Sequence, residues 1–453
     1  MSSSIENGHS KGFARRSFLA ASAAAALASS ALTGTAAAAG ADAKNGLTAG
    51  AGKAAIAIPP ELLPLDGFTT VHDDLYVRVL VLTSGATRAA LVVLDLTSIS
   101  AEAIAQIRQV VTKTAGVAAT DIIVTVTHTF SAPHVLASTS SPGAATWVQN
   151  IVAAATSAAA DAVKSARPAR VGYGVGSADV NVNRNVETSA GWWLGTGEAL
   201  PSDKSVNVAR FDDLGGRPIA ILVNYNVQSS VMMESVMAGG DLPITADLAG
   251  ATVAHLEQQY DDVTGFFLVG ACGDQAPGFR SKRYTIDKAG NWSQTDARDA
   301  GWLLLTVQGE RLGTEAVRVS ETIKTSTART LKLVTDSVTV DAVVGGHPTA
   351  PTTSYTFVPA GTTQAPLWVL QVGEGAFAGA APELSTSTAL TIKKKSPLKY
   401  TFVLSMLEGG AKNMADRWNY QHLTYEAIDS SYAEGAAEAL ADRFGRVLNS
   451  LSK

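Results

Sequence analysis

A chain of 453 residues with 46% apolar side chains and 17% charged ones is long enough for one large α/β domain or two intimate ones, and apolar enough to bury a substantial core. The net charge of -5 is spread along the sequence with no arginine-rich stripe and no interleaving of basic and aromatic residues, which excludes a nucleic-acid footprint. A single cysteine, Cys272, excludes an internal disulfide.

The first residues read as an address. Ala14-Arg15-Arg16-Ser17-Phe18-Leu19 carries the paired arginines of a twin-arginine export signal, followed by an alanine-rich apolar stretch with small residues. Residues 1–41 are therefore expected to be a signal peptide, 42–51 a soft linker and 52–453 the domain. The apolar stretch is too short and too alanine-dominated for a membrane span, and no later stretch is long enough. A bacterial protein exported folded by this route works in the periplasm or outside the cell.

From there strands and helices alternate. Tyr76 to Thr83 and Ala89 to Leu94 read as neighbouring strands, and Ser100 to Thr114 as a helix with Ile104, Ile107 and Val111 on one face and Ser100 as N-cap. Ile122 to Val126 is a buried strand, Thr146 to Lys164 an alanine-rich helix, and Val206 to Phe211 with Pro218 to Val227 a strand pair joined by an Asp-Gly turn. Asp247 to Gln259 reads as a helix and Phe266 to Val269 as a strand breaking into Gly270-Ala271-Cys272-Gly273-Asp274, a loop without a phosphate-binding lysine. A helix over about Thr295 to Ile323, β-rich segments between Leu331 and Val372, a helix beginning near Glu383, a strand over Tyr400 to Leu404 and a helix over about Tyr432 to Leu451 complete the chain. Lys393 to Lys395, the densest basic run, reads as a solvated helix end. The succession predicts a layered α/β domain with a central mixed sheet and flanking helices.

Within that frame the stretch ATDIIVTVTHTFSAPH, Ala119 to His134, stands out, because it places His128 and His134 at the exit of a buried strand. Ligands collect at the carboxyl ends of strands in α/β sheets, and an imidazole there can ligate a metal, move a proton or donate a hydrogen bond.

Several segments in order carry a resemblance. They are Thr127-His128-Thr129-Phe130-Ser131-Ala132-Pro133, Asn183-Arg184, Arg210 to Tyr225, Pro243 to Gly250, Gly270 to Pro277, Pro382-Glu383-Leu384, and Arg417 with Tyr420 and Tyr425-Glu426. Together, over about Ala51 to Leu451, they resemble the neutral/alkaline, non-lysosomal ceramidase family, its catalytic domain without the immunoglobulin-like domain that usually follows. The resemblance implies a zinc amidase in which His128, a histidine at position 228, Glu383 and a tyrosine at position 413 hold the metal. Here those two positions are Gln228 and Asn413, the second histidine of the family's THTH segment is Phe130, and the serine or asparagine of its GDxxP loop is Ala276. Amides are poor zinc ligands beside imidazole, so a remodelled, zinc-free site is expected, with zinc only if His128 and Glu383 recruit a substitute ligand such as His134.

Three readings follow for a small lipid or glycan substrate. The first is hydrolysis of an amide, acyl or glycan bond, with Tyr425 donating to the developing oxyanion and Arg184 anchoring an anionic group. The alternative is a metal-independent lyase on a uronic-acid saccharide, in which Gln228 and Asn413 neutralise the carboxylate while His128 or Tyr425 moves the proton, helped by Arg184 or Arg417. The third is a non-catalytic binder whose Trp192-Trp193, in the loop Ala190 to Gly197, stacks on sugars or holds acyl chains. His134, Trp192, Trp193, Tyr225, Arg417 and Tyr420 are the expected substrate contacts. The plain readings are core packing for the tryptophans, a loop hydrogen bond for His134 and a surface position for His422, with Asp247 and Asp274 fixing loops and Asn291-Trp292-Ser293 without a role.

Overall fold

In the computed structural model, which describes residues 46–135, 143–410 and 412–452, strand Ile122–Val126 is buried throughout and pairs in parallel with Thr87–Leu94. Its unbroken β-branched run is what burial on both faces requires. Helix Ala101–Ala115 makes the crossover between the two strands. It starts where Ser100 Oγ accepts from Ala103 N and stops at Gly116, whose φ of 63° suits a residue without a Cβ.

These elements belong to the larger of two main sheets. Its path runs Thr264–Val269, Pro218–Tyr225, Ser205–Asp213, Arg167–Ser177, Thr48–Ala55, Tyr76–Ser84, Thr87–Leu94 and Ile122–Val126. The pairs at its two ends are parallel and those between are antiparallel. Helices Ala101–Ala115, Ala144–Ser165, Asp247–Glu257 and Gly301–Thr322 cover one face through a core that includes Val79, Ile107, Trp147, Val223 and Leu312. The other face packs through Leu91, Phe211, Phe266, Trp368 and Phe402 on a second sheet, Leu331–Val343, Pro359–Val372, Gly375–Ala380 and Tyr400–Leu404. Helices Thr386–Lys395 and Ala436–Leu451 close the outer side with Ile392, Leu440 and Phe444. The result is four layers, helix on sheet on sheet on helix, within one compact unit. Among the described residues no helix is long and apolar enough to cross a membrane.

Laid flat, the outer strands of the large sheet would run in opposite directions. A right-handed twist of roughly 20–25° per neighbour, summed along the path, turns one end about half a revolution relative to the other. The two halves then meet: Thr129 pairs with Ser229 in a parallel bridge and Phe130 N–H donates to Ser229 O at 3.0 Å. The carboxyl ends of both parallel edge pairs thus reach the same place. The second sheet brings a third parallel pair there, Gly375–Ala380 with Tyr400–Leu404, which continues into Glu383–Leu384 paired with Asn413–Met414.

The expected elements shift at several places, and the closing helix expected from about Tyr432 begins at Ala436. The signal residues and 42–45 lie outside the described residues, while Thr48 to Ala51, expected as linker, begin a central strand. Their alanine and glycine content serves close packing: a Cβ on Gly50 would lie 2.0 Å from Ala162 O, and one on Gly52 2.4 Å from Ala158 O. The helix expected from Thr295 begins at Gly301, because Trp292–Asp296 pairs with Lys282–Ile286 and the Asp296 carboxylate accepts from Arg298 N. Glu383 begins no helix; it lies in a two-residue strand, with Ser385 as the N-cap of Thr386–Lys395. The loop expected around the tryptophans is a hairpin, Asn185–Thr188 with Gly191–Leu194.

Candidate functional site

Each of the three parallel pairs delivers side chains to one buried cluster. His128 follows strand Ile122–Val126, Gln228 follows Pro218–Tyr225, Cys272 follows Thr264–Val269, Glu383 follows Gly375–Ala380 and Asn413 follows Tyr400–Leu404. His128 sits at φ 55°, a left-handed conformation that histidine tolerates better than most residues and that is worth its strain mainly at functional positions. Its Nδ1 lies 2.8 Å from Thr97 O. A carbonyl only accepts, so Nδ1 carries the proton and Nε2 is left facing the cluster. There Nε2 is 3.3 Å from Glu383 Oε1, yet it is buried without a properly aligned hydrogen bond.

Glu383 is held from its other side. Gln228 Nε2 donates to Glu383 Oε2 at 2.7 Å, while Gln228 Oε1 accepts from Arg184 Nη1 at 3.0 Å. Arg184 Nε donates in turn to Glu426 Oε1 at 2.6 Å, and its guanidinium lies 5.2 Å from the Tyr425 ring centroid. Burial opposes ionisation of Glu383; Arg184, the Gln228 amide and, whenever its Nε2 carries a proton, His128 lower the carboxyl. Burial pushes the Tyr425 phenol up to about 12, so near neutrality it is a proton donor and not the base an elimination would ask of it. Arg184 Nη2, Glu426 Oε2 and Asn413 Oδ1 are also buried without partners.

Cys272 completes the arrangement, and reasoning from sequence passed over it. Its Sγ lies 3.8 Å from Glu383 Oε2, and the ligand atoms of His128, Cys272 and Glu383 all fall within 4.8 Å of one another. Gly273 N–H donates to Leu384 O at 3.0 Å, and Asp274 Oδ1 accepts from Thr386 N and Oγ1 at 3.0 and 2.9 Å, which locks the cysteine loop against the glutamate segment. A Cβ on Gly273 would lie 3.0 Å from Asn413 Oδ1. The signal available in sequence was the same one that marked His128: a chemically competent side chain just past a buried strand.

The other expected residues scatter. His134 is half exposed and binds Asp66 through Nδ1 at 2.7 Å, so its loop does not return it to His128. Tyr225 is fully buried, its hydroxyl donating to Ala178 O at 2.6 Å and accepting from Val180 N and Asn181 N; it anchors a turn and touches no open space. The Tyr420 hydroxyl donates to Tyr432 O, and Arg417 is exposed beside Glu434 at 3.4 Å, so both support the C-terminal segment. Trp193 is buried against Tyr425, Tyr284 and Trp292, and Trp192 stands edge-on to Trp418 and His422. Asp247 fixes a loop by accepting from Val231 N and Met232 N, each at 2.8 Å.

The zinc set implied by the ceramidase resemblance does not fit these residues. His128 and Glu383 keep suitable ligand types, but Gln228 is committed at both ends to Arg184 and Glu383, and Asn413 gives its Nδ2 to Asp429 at 3.1 Å. The implied set is two ligands short.

No protein-family model and no curated protein matches this sequence. Among solved structures the chain is similar to neutral ceramidase from Pseudomonas aeruginosa, with a TM-score of 0.69 and 15% identity over 90% of this chain and 75% of that one. It is also similar to a ceramidase complexed with C2, with a TM-score of 0.67 and 15% identity over 89% of this chain and 74% of that one. At such identity the likeness is one of fold, and the chain has the mixed α/β fold of the ceramidase catalytic domain.

Proposed function

We propose that this chain is an exported, ceramidase-like hydrolase that cleaves an amide or related acyl bond of a lipid-like substrate at the His128–Glu383 centre. The observation that carries the reading is the unpartnered, buried Nε2 of His128 beside an ionised Glu383, with unpartnered Arg184 Nη2 in the same cluster. Buried polar groups without partners are rare away from places that receive a ligand. The fold shared with ceramidases supports the acyl class, and Arg15-Arg16 supports export.

In this scheme a water attacks the carbonyl carbon and gives its proton to His128 Nε2, next to the Glu383 carboxylate. The Thr97 carbonyl keeps the ring in the required tautomer. Arg184 and the Tyr425 hydroxyl face the oxygen that becomes negative. His128 then returns the proton to the leaving nitrogen, so that acid and amine depart. Ala276 offers no side-chain nucleophile, and the scheme assigns the attack to water.

The test is release of free acid and amine from a panel of ceramides and N-acyl amino acids. Glu383→Gln is expected to lose roughly 100-fold or more in kcat/KM while keeping its far-ultraviolet circular dichroism. No release by the wild type from any acyl substrate, together with an unsaturated product from an acidic glycan, overturns the proposal.

A further inference from the structure

We propose that His128 Nε2, Cys272 Sγ and the Glu383 carboxylate form a binding site for a zinc-type divalent cation, a set in which a thiolate takes the place of the inherited ligands at positions 228 and 413. The inference rests on reading this cluster as the reacting centre, and it reassigns one atom: with an ion bound, His128 Nε2 would ligate it instead of taking the proton, and the ion would supply the activation of water.

The distances fit. Zinc bonds of about 2.0–2.1 Å to nitrogen, 2.3 Å to sulfur and 2.0–2.2 Å to oxygen, opened at a tetrahedral angle, separate nitrogen from oxygen by roughly 3.3 Å and sulfur from oxygen by roughly 3.6 Å. His128 Nε2 is 3.3 Å from Glu383 Oε1 and Cys272 Sγ is 3.8 Å from the other oxygen, Oε2, so the carboxylate would ligate through both oxygens or turn one toward both partners. All three ligand atoms lie within 4.8 Å of one another and all three residues are buried. The imidazole is prepared as metal histidines are, with Nδ1 donating to a carbonyl and Nε2 carrying no partner.

A cation held at this centre uses all three atoms, and one nitrogen, one sulfur and one carboxylate leave a fourth tetrahedral position open, the pattern of zinc sites that act on substrates. The carboxamide of Gln228 then orients Glu383 without competing for the ion.

The experiment measures metal directly. The full chain, produced with zinc and purified without chelator, is expected to carry one zinc per chain. After removal and replacement by cobalt(II) it is expected to show a near-ultraviolet sulfur-to-cobalt charge-transfer band. Cys272→Ser and Cys272→Ala should lose that band and bind the metal more weakly by more than the roughly 10- to 100-fold that loss of an outer partner costs; His128→Asn should abolish binding. Wild-type protein that takes up no stoichiometric metal, or that binds cobalt without the sulfur band, overturns the inference, and neither result depends on a variant folding. Acyl hydrolysis measured on the same samples separates the two readings. Turnover in metal-free protein retires the cation site and leaves the hydrolase, whereas metal with the sulfur band but no turnover retires the hydrolase and leaves the site.

Discussion

Gln228 can hold only one orientation, because arginine cannot accept a hydrogen bond and an ionised carboxylate cannot donate one; Arg184 on one side and Glu383 on the other assign its oxygen and nitrogen without ambiguity. A neutral amide thus separates two charges in a place where a second carboxylate would repel Glu383. Lys393, expected as a solvated helix end, is instead tied to the frame of this region. Its Nζ donates to Asp203 Oδ2 at 2.7 Å, and Ser205 N donates to Asp203 Oδ1 at 3.0 Å. Burial opposes ionisation of Asp203, but Lys393 and Ser205 outweigh it and hold the carboxyl below its ordinary 3.8. A depressed carboxyl contributes stability that is present above 3.8 and lost as the pH falls below it. Denaturant unfolding between pH 6 and pH 3 should therefore show Asp203→Asn less stable than wild type at pH 6, with the gap narrowing below about pH 4; a gap independent of pH would deny the ion pair its role. At this scale the sequence exposed His128, Glu383, Gln228 and Arg184, because their neighbours carry motifs. It hid Cys272, whose significance is a distance to Glu383 across 111 positions, and it misassigned Tyr225 and Tyr420, because nothing local says whether a strand-end or helix tyrosine turns its hydroxyl to a cavity or to a backbone carbonyl.

At the scale of elements the legible features are those with a local cause. Strand Ile122–Val126 and helix Ala101–Ala115 come out where burial pattern and capping place them. The central strand Thr48–Ala55 was illegible for the opposite reason: Ala49-Gly50-Ala51-Gly52 has weak strand propensity, and the strand exists because the helix Ala144–Ser165 needs small residues beneath it. Gly50→Ala places a methyl within clashing range of the backbone at Ala162 and Ala166, atoms that cannot swing aside. Overpacking of this kind costs typically about 1–3 kcal/mol. Urea unfolding of Gly50→Ala should show a lower midpoint with an unchanged slope, the shift multiplied by the slope giving a loss of that size. A neutral effect would mean that strand and helix separate easily, and that the glycines mark a linker after all.

Over the whole molecule the site is a product of closure, since its members come from both sheets and from segments as distant as Thr97 and Asp429. Alternation of strands and helices announces a layered α/β domain, but the four-layer order and the meeting of Thr129 with Ser229 depend on cumulative twist, which no local pattern records. The Arg184–Glu426 pair joins segments 242 positions apart, with side chains 7% and 0% exposed, so it tests how closure and function are linked. Removing one partner of a buried pair leaves an uncompensated charge and costs about 3–5 kcal/mol, whereas replacing both by apolar residues of similar volume is often neutral. Arg184→Met and Glu426→Leu should each be strongly destabilised in denaturant melts. The double variant should recover most of the loss, short of roughly 1–3 kcal/mol because Gln228 Oε1 keeps no donor. Hydrolysis should stay absent in the double variant despite its recovered stability, since no guanidinium faces the reacting carbonyl. A double variant that is both stable and fully active would show that Arg184 closes the fold without acting on the substrate, and one as unstable as the two single losses combined would show that the pair is not a self-contained unit.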